Sequence, residues 1–111
     1  MSEPIDAPHE SPIQLVKWGG SLLTDTTRPE SLRTDDLQRL AAEVARALPR
    51  LQGGLVLGHG SGSFGHVAAE RWRIHEGLSS KDQLPGVAAT QAKAAELHWR
   101  VMAELSAAGV P

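Results

Sequence analysis

Two short apolar runs in this chain each break off in glycines, and a helix-patterned segment lies between them. The first run is IQLVK, Ile13 to Lys17, followed after Trp18 by Gly19-Gly20. The second is LVL, Leu55 to Leu57, followed by GHGSGSFGH, Gly58 to His66. Neighbouring parallel strands need a connection of a dozen or more residues, normally a helix, so this order predicts a right-handed parallel crossover. Thr34 to Leu48 supplies the helix. Thr34 stands as N-cap, Asp35 and Asp36 suit the first turn, Leu37, Leu40, Ala41, Val44, Ala45 and Leu48 recur at helical spacing, and Pro49 stops it. Ser21 to Arg33, rich in Thr and holding Pro29, reads as a loop.

A second helix is expected from about Ser63 to Trp72, patterned by Phe64, Val67 and Ala68. Arg73 to Pro85 reads as an irregular connection. A long helix from about Pro85 to Ala108 then carries Val87, Ala94, His98, Val101, Met102 and Leu105 on one face, with Gly109 as its C′ residue. The fold class is therefore α/β with parallel strands. Parallel sheets are covered on both faces and usually hold four to six strands, so two strands predict an incomplete part of a larger α/β domain. Residues 13–111 form this part, and residues 1–12 are expected to be a flexible tail. MSEPIDAPHESP lacks the basic and apolar regions of a secretory signal, so a cytoplasmic protein is expected.

Charge and composition narrow the ligand class. With 11 Lys and Arg against 13 Asp and Glu, the net charge of −2 offers no global field for nucleic acid or an anionic membrane. No cysteine is present, which excludes disulfides, thiolate metal sites and a catalytic thiol. The five histidines show no metal-ligand spacing, so no metal ligands are assigned. Any anion must be held by local groups.

Both strand exits of a parallel pair lie at one sheet edge, where ligands of open α/β folds collect, so the two glycine loops are expected to share one crevice. Glycines let backbone N–H groups approach phosphate oxygens, and a helix starting near Ser63 adds its positive end. Lys17 is a mobile charge suited to phosphoryl transfer. His66, one turn into the second helix, stands where it can donate a hydrogen bond to a bound phosphate. His59 is read as packing or loop support, and His98 as a satisfied core histidine. The string Gly60 to Gly65, GSGSFG, also matches the dinucleotide fingerprint. Its context does not, because it follows the second strand and Asp82, at the right distance, has no strand before it.

KWGGSLLTD (Lys17 to Asp25) together with HGSGSFGH (His59 to His66) resembles the amino acid kinase superfamily, and within it the isopentenyl phosphate kinases. The tail GVAATQAKAAELHWRVMAELSAAGVP is similar to that family's long helix before its next strand. The resemblance implies an open three-layer αβα sandwich, of which this chain is the N-terminal, acceptor-binding and phosphate-loop part. It implies an ATP- and Mg²⁺-dependent kinase that phosphorylates isopentenyl phosphate in isoprenoid biosynthesis, with a small-molecule phosphate substrate and a homodimer at full length. It further implies that Lys17, Gly19, Gly20 and Ser21 contact ATP phosphates, that Ser61 and Gly62 lie between the transferred group and the acceptor, and that His66 holds the acceptor phosphate. Where the family commonly has Thr-Asp-Lys, this chain has Thr24-Asp25-Thr26, and Arg28 is the candidate substitute for the lysine. A kinase of another phosphate or phosphonate acceptor such as fosfomycin, and a non-catalytic phosphate-binding remnant, stay open as alternatives.

Overall fold

The computed structural model describes residues 11–111. The expected tail therefore lies outside the described residues except for Ser11 and Pro12, whose carbonyls pack against Gly53. Strand β1 (Gln14–Trp18) pairs in parallel with β2 (Leu55–His59), in the register Gln14 to Leu55 through Trp18 to His59. Helix α2 (Thr34–Ala47) forms the crossover, α3 (Ser63–Arg71) follows β2, and α4 (Leu84–Ala107) closes the chain. The order is the one the periodicity predicts, with differences at the joints.

Three joints differ. The stretch read as a loop begins with a single helical turn, α1 (Gly20–Leu23), and its ends are drawn together by a bridge between Thr24 and Leu32. Four residues are too few to display a helical period. Thr34 is the first residue of α2 rather than its cap; Arg33 takes the cap position and makes no side-chain capping bond. The connection after α3 holds two 3₁₀ turns, Ile74–Glu76 and Lys81–Gln83. There the Gln83 amide donates to the carbonyls of Trp72 and Arg73. Ser80 and Gln83 form a reciprocal capping box.

The core is built from Trp18, Leu23, Leu37, Phe64, Leu97 and Val101, so β1, α1, α2, α3 and α4 each contribute to it. Burying a side chain such as Leu37 or Leu97 stabilises by about 1.5–3 kcal/mol, and Phe64 is the largest of the fully enclosed side chains. The face of α4 that carries this load is centred on Leu97 and Val101. Met102 and His98, expected on the buried face, are exposed. An alanine-rich helix has no sharp apolar boundary, and the side it buries is chosen by what it meets. Its C-terminus closes with a Schellman motif: Val110 N–H donates to the Leu105 carbonyl and Gly109, at φ +90°, to that of Ser106.

All of this packing lies on one face of the sheet. Val16, Trp18, Leu55 and Leu57 point toward α2, and Leu57 and His59 toward α4. The other face presents Leu15, 78% exposed, and Val56, 53% exposed. Of the three layers expected, the described residues build the sheet and one helical layer.

Candidate functional site

The register places the two strand exits side by side, with Lys17 opposite Gly58 and Trp18 opposite His59. Beyond this pairing the loops interlock through their backbones. Gly60 N–H donates to the Trp18 carbonyl at 2.9 Å. A Cβ on Gly60 would stand 2.8 Å from Gly20 N, and one on Gly20 would stand 2.5 Å from Gly62 N. Gly62, at φ +50°, would drive its Cβ into the Thr24 hydroxyl and the Gly20 carbonyl. At Gly20, Gly60 and Gly62, glycine is demanded by contact with the opposite loop.

Thr24 fastens the two loops together. Its hydroxyl, fully buried, donates to the Gly20 carbonyl at 2.7 Å and accepts from Ser63 N–H at 3.1 Å. Gly62 occupies the cap position of α3 and has no side chain to offer, so Thr24 caps that helix from the other loop. Ser63 is held on two further sides: Ser31 N–H donates to its hydroxyl at 3.2 Å and Glu30 N–H to its carbonyl at 3.3 Å. Glu30 adopts φ +50° and is paired with Lys93 of α4. That partner, with Glu96, raises the Lys93 pKa above its ordinary value. The segment between α1 and α2 is thus a folded strap across the N-terminus of α3. Sequence reasoning missed Thr24 and Ser63 because their partners lie in the other loop.

The side chains assigned from sequence sit around this interlock. Lys17 leaves β1 beside Gly58 and is exposed. Gly19 and Gly58 meet nothing within 4 Å of a Cβ, so space opens above both strand ends. Ser21 is exposed in α1, and the Ser61 hydroxyl lies against Gly65. His66 is exposed one turn into α3. Among the described residues, Lys17 has no carboxylate partner and the His66 ring no hydrogen-bond partner, and the N–H groups of Ser61 and Gly62 have no acceptor. Among the described residues the site thus offers an unpaired cation, an unpaired imidazole and backbone donors, which is the chemistry of an anion cradle.

Arg28, the candidate substitute for the missing lysine, is already engaged. Its guanidinium pairs with Asp25 at 3.3 Å and donates to the Ser31 hydroxyl at 3.1 Å. Asp25 also accepts from the hydroxyl and amide of Thr27. Those bonds first, then the Arg28 and Arg33 charges, hold its carboxyl below the usual carboxylate range. His98 is not a core histidine. Its Nδ1 lies 2.9 Å from His59 Nε2, and His59 Nδ1 lies 2.9 Å from the Gly60 carbonyl, which bears out His59 as loop support. No group of three side chains able to hold a metal ion occurs among the described residues. Between α3 and α4 lies a cavity of about 250 Å³ lined by Phe64, Val67, Ala68, Trp72 and Ala89, with Glu30, Lys93 and Arg71 also on its wall. Within the described residues no helix is long and apolar enough to cross a membrane.

A two-stranded parallel α/β unit whose strand exits carry interlocked glycine loops defines a class. The pattern of the amino acid kinase family matches residues 12–111, and the chain belongs to that family. Among its relatives, the isopentenyl phosphate kinase of Methanothermobacter thermautotrophicus is 35% identical over 103 residues, covering 87% of this chain and 37% of that protein. That of Methanocaldococcus jannaschii is 37% identical over 71 residues, covering 59% of this chain and 27% of that protein. A crystal structure of an isopentenyl phosphate kinase superposes with a TM-score of 0.76 at 33% identity, over 89% of this chain and 41% of that one. The product complex of the T. acidophilum enzyme shares the fold at the same TM-score and 21% identity. The chain thus spans about 40% of the length of these relatives.

Proposed function

We propose that this chain forms the acceptor-binding and phosphate-loop part of a kinase that transfers the γ-phosphoryl group of ATP to isopentenyl phosphate, giving isopentenyl diphosphate and ADP. The observation that carries the reading is the interlock of two glycine loops at adjacent parallel strand exits, with Lys17 and His66 unpartnered beside it among the described residues. Lys17 and the backbone of Gly19, Gly20 and Ser21 meet the ATP phosphates. Ser61 and Gly62 lie between donor and acceptor, and His66 donates to the acceptor phosphate.

An oxygen of the acceptor phosphate attacks the γ-phosphorus while the bond to the bridging oxygen breaks, and the electron pair leaves with ADP. A phosphate monoester has its second pKa near ~6, so the acceptor is largely ionised at neutral pH and no strong base is needed. This fits the engagement of the loop's own carboxylate, Asp25, with Thr27 and Arg28. Catalysis then rests on positioning and charge neutralisation. Mg²⁺ ordinarily binds through phosphates and water with few protein ligands. The described residues offer it no cluster, and none is assigned to it. The cavity between α3, which carries His66, and α4 has an apolar wall of Phe64, Val67, Ala68, Trp72 and Ala89 that suits an isoprenoid tail.

A second reading, a non-catalytic phosphate-binding remnant, is favoured by Thr26 in the usual lysine position and by the engagement of Arg28 with Asp25. A coupled ADP-release assay decides between them. Run on a full-length kinase that contains this chain, with isopentenyl phosphate and, separately, fosfomycin, it should show turnover with the first. His66→Ala should lose that turnover by about 10²-fold with ATP binding retained, the size of effect that one lost electrostatic donor produces. Binding of both substrates without turnover would favour the remnant. The 111-residue chain by itself is expected to turn over little, since it spans about 40% of the relatives' length.

A further inference from the structure

His59 and His98 meet edge to edge. Their planes are 15° apart, and the ring centroids are 5.1 Å apart while the facing nitrogens are 2.9 Å apart. The centroid spacing exceeds the nitrogen spacing by about one ring width, which places the contact in the ring plane, as a hydrogen bond and not a face-on stack. One proton must lie between His59 Nε2 and His98 Nδ1. On its other side His59 Nδ1 faces the Gly60 carbonyl at 2.9 Å, an acceptor only, so Nδ1 must carry a hydrogen. In the neutral pair His59 Nε2 is then the acceptor and His98 Nδ1 the donor. If His59 is charged, the middle bond reverses, and Nδ1 still donates to Gly60.

The consequence reaches the glycine loop through one peptide plane. The peptide between Gly60 and Ser61 is trans, so its C=O and N–H point in opposite directions. Holding the Gly60 carbonyl toward His59 fixes the Ser61 N–H on the far side, where among the described residues it has no acceptor. We propose that His98 is a positioning residue for the anion-binding loop: by donating to His59 it selects the Nδ1–H form of that ring, which anchors Gly60 and aims the Ser61 N–H at the ligand. Without His98, neutral His59 is free to place its hydrogen on Nε2, and its Nδ1 lone pair then opposes the Gly60 carbonyl. The His98 ring is exposed, so this role does not depend on packing.

The proposal rests on the phosphate-site reading above only in naming the ligand. The test is imidazole and amide ¹⁵N NMR on the protein, with a pyrophosphate titration, for wild type, His98→Ala and His98→Asn. Asparagine places an amide donor near the position of Nδ1 and should preserve the contact. In wild type, His59 should carry hydrogen on Nδ1. His98→Ala should lose that preference, move the Ser61 amide resonance and weaken pyrophosphate binding about threefold to tenfold, the worth of one hydrogen bond. His98→Asn should restore all three. An unchanged His59 tautomer and Ser61 resonance in His98→Ala, or a loss of both that Asn fails to restore, overturns the proposal. Wild type that shows the His59 pattern and its loss in His98→Ala, but binds no pyrophosphate, upholds the positioning role and counts against the kinase reading.

Discussion

The glycines at the two strand exits are of two kinds. Gly19 and Gly58, nearest the strands, face open space, whereas Gly20, Gly60 and Gly62 are pressed against the backbone of the opposite loop. The inner set closes one loop on the other with no room for a Cβ. Beside the outer set, the described residues leave open space. Substitution should therefore cost stability at the inner set and spare it at the outer one.

The largest effect is expected from Gly20→Ala, whose methyl would stand 2.5 Å from Gly62 N with backbone unable to yield. A loss of about 3 kcal/mol in urea unfolding is expected, at the upper end for overpacking, together with loss of anion binding. Unfolding unchanged from wild type would break the interlock. Thr24→Val comes next. It preserves shape but removes the hydroxyl from Gly20 and Ser63, leaving a buried N–H unmatched, and should cost about 2 kcal/mol while Thr24→Ser costs under about 1.

A smaller effect attaches to Asp25. Its folded pKa is lowered, so its contribution to stability is present above the ordinary value of 3.8 and is lost as the pH falls through the folded value. The difference in Tm between wild type and Asp25→Asn should thus be seen at neutral pH and close in acid; a gap that widened in acid would refute the assignment. The bonds it makes lie at the surface and the effect will be slight. Gly19→Ala should be the mildest for the fold, within about 0.5 kcal/mol, since its φ of −65° suits alanine and the new methyl meets nothing. It should nonetheless weaken ATP binding measured by calorimetry. Equal losses of stability in Gly19→Ala and Gly20→Ala would erase the distinction drawn above.

The order of strands and helices was legible because each long element carries its own period, and Leu37, Leu40, Ala41 and Val44 state theirs without help from the rest of the chain. The convergence of the two glycine loops was legible too, since a parallel crossover dictates it. What escaped were features created by meetings. Leu97 was overlooked and His98 misplaced on the core side, because an alanine-rich helix leaves its buried face to be selected by Trp18, Leu37 and Phe64. Thr24 looked like one threonine among several, and only the arrival of Ser63 gives it a task. The bare face at Leu15 and Val56 is the structural counterpart of the short strand count, which two apolar runs had already announced.

Capping of α3 by a residue 39 positions upstream has a kinetic side. A helix whose first amide is satisfied locally can form as soon as its own residues are free to turn. The first turn of α3 gains its acceptor only after α1, the strap and the crossover have come into place, which makes it a late, high-contact-order event. The Ser63 amide should therefore exchange its hydrogen in step with Thr24 and Gly60, as one cooperative unit, and its protection would report when the two loops have closed.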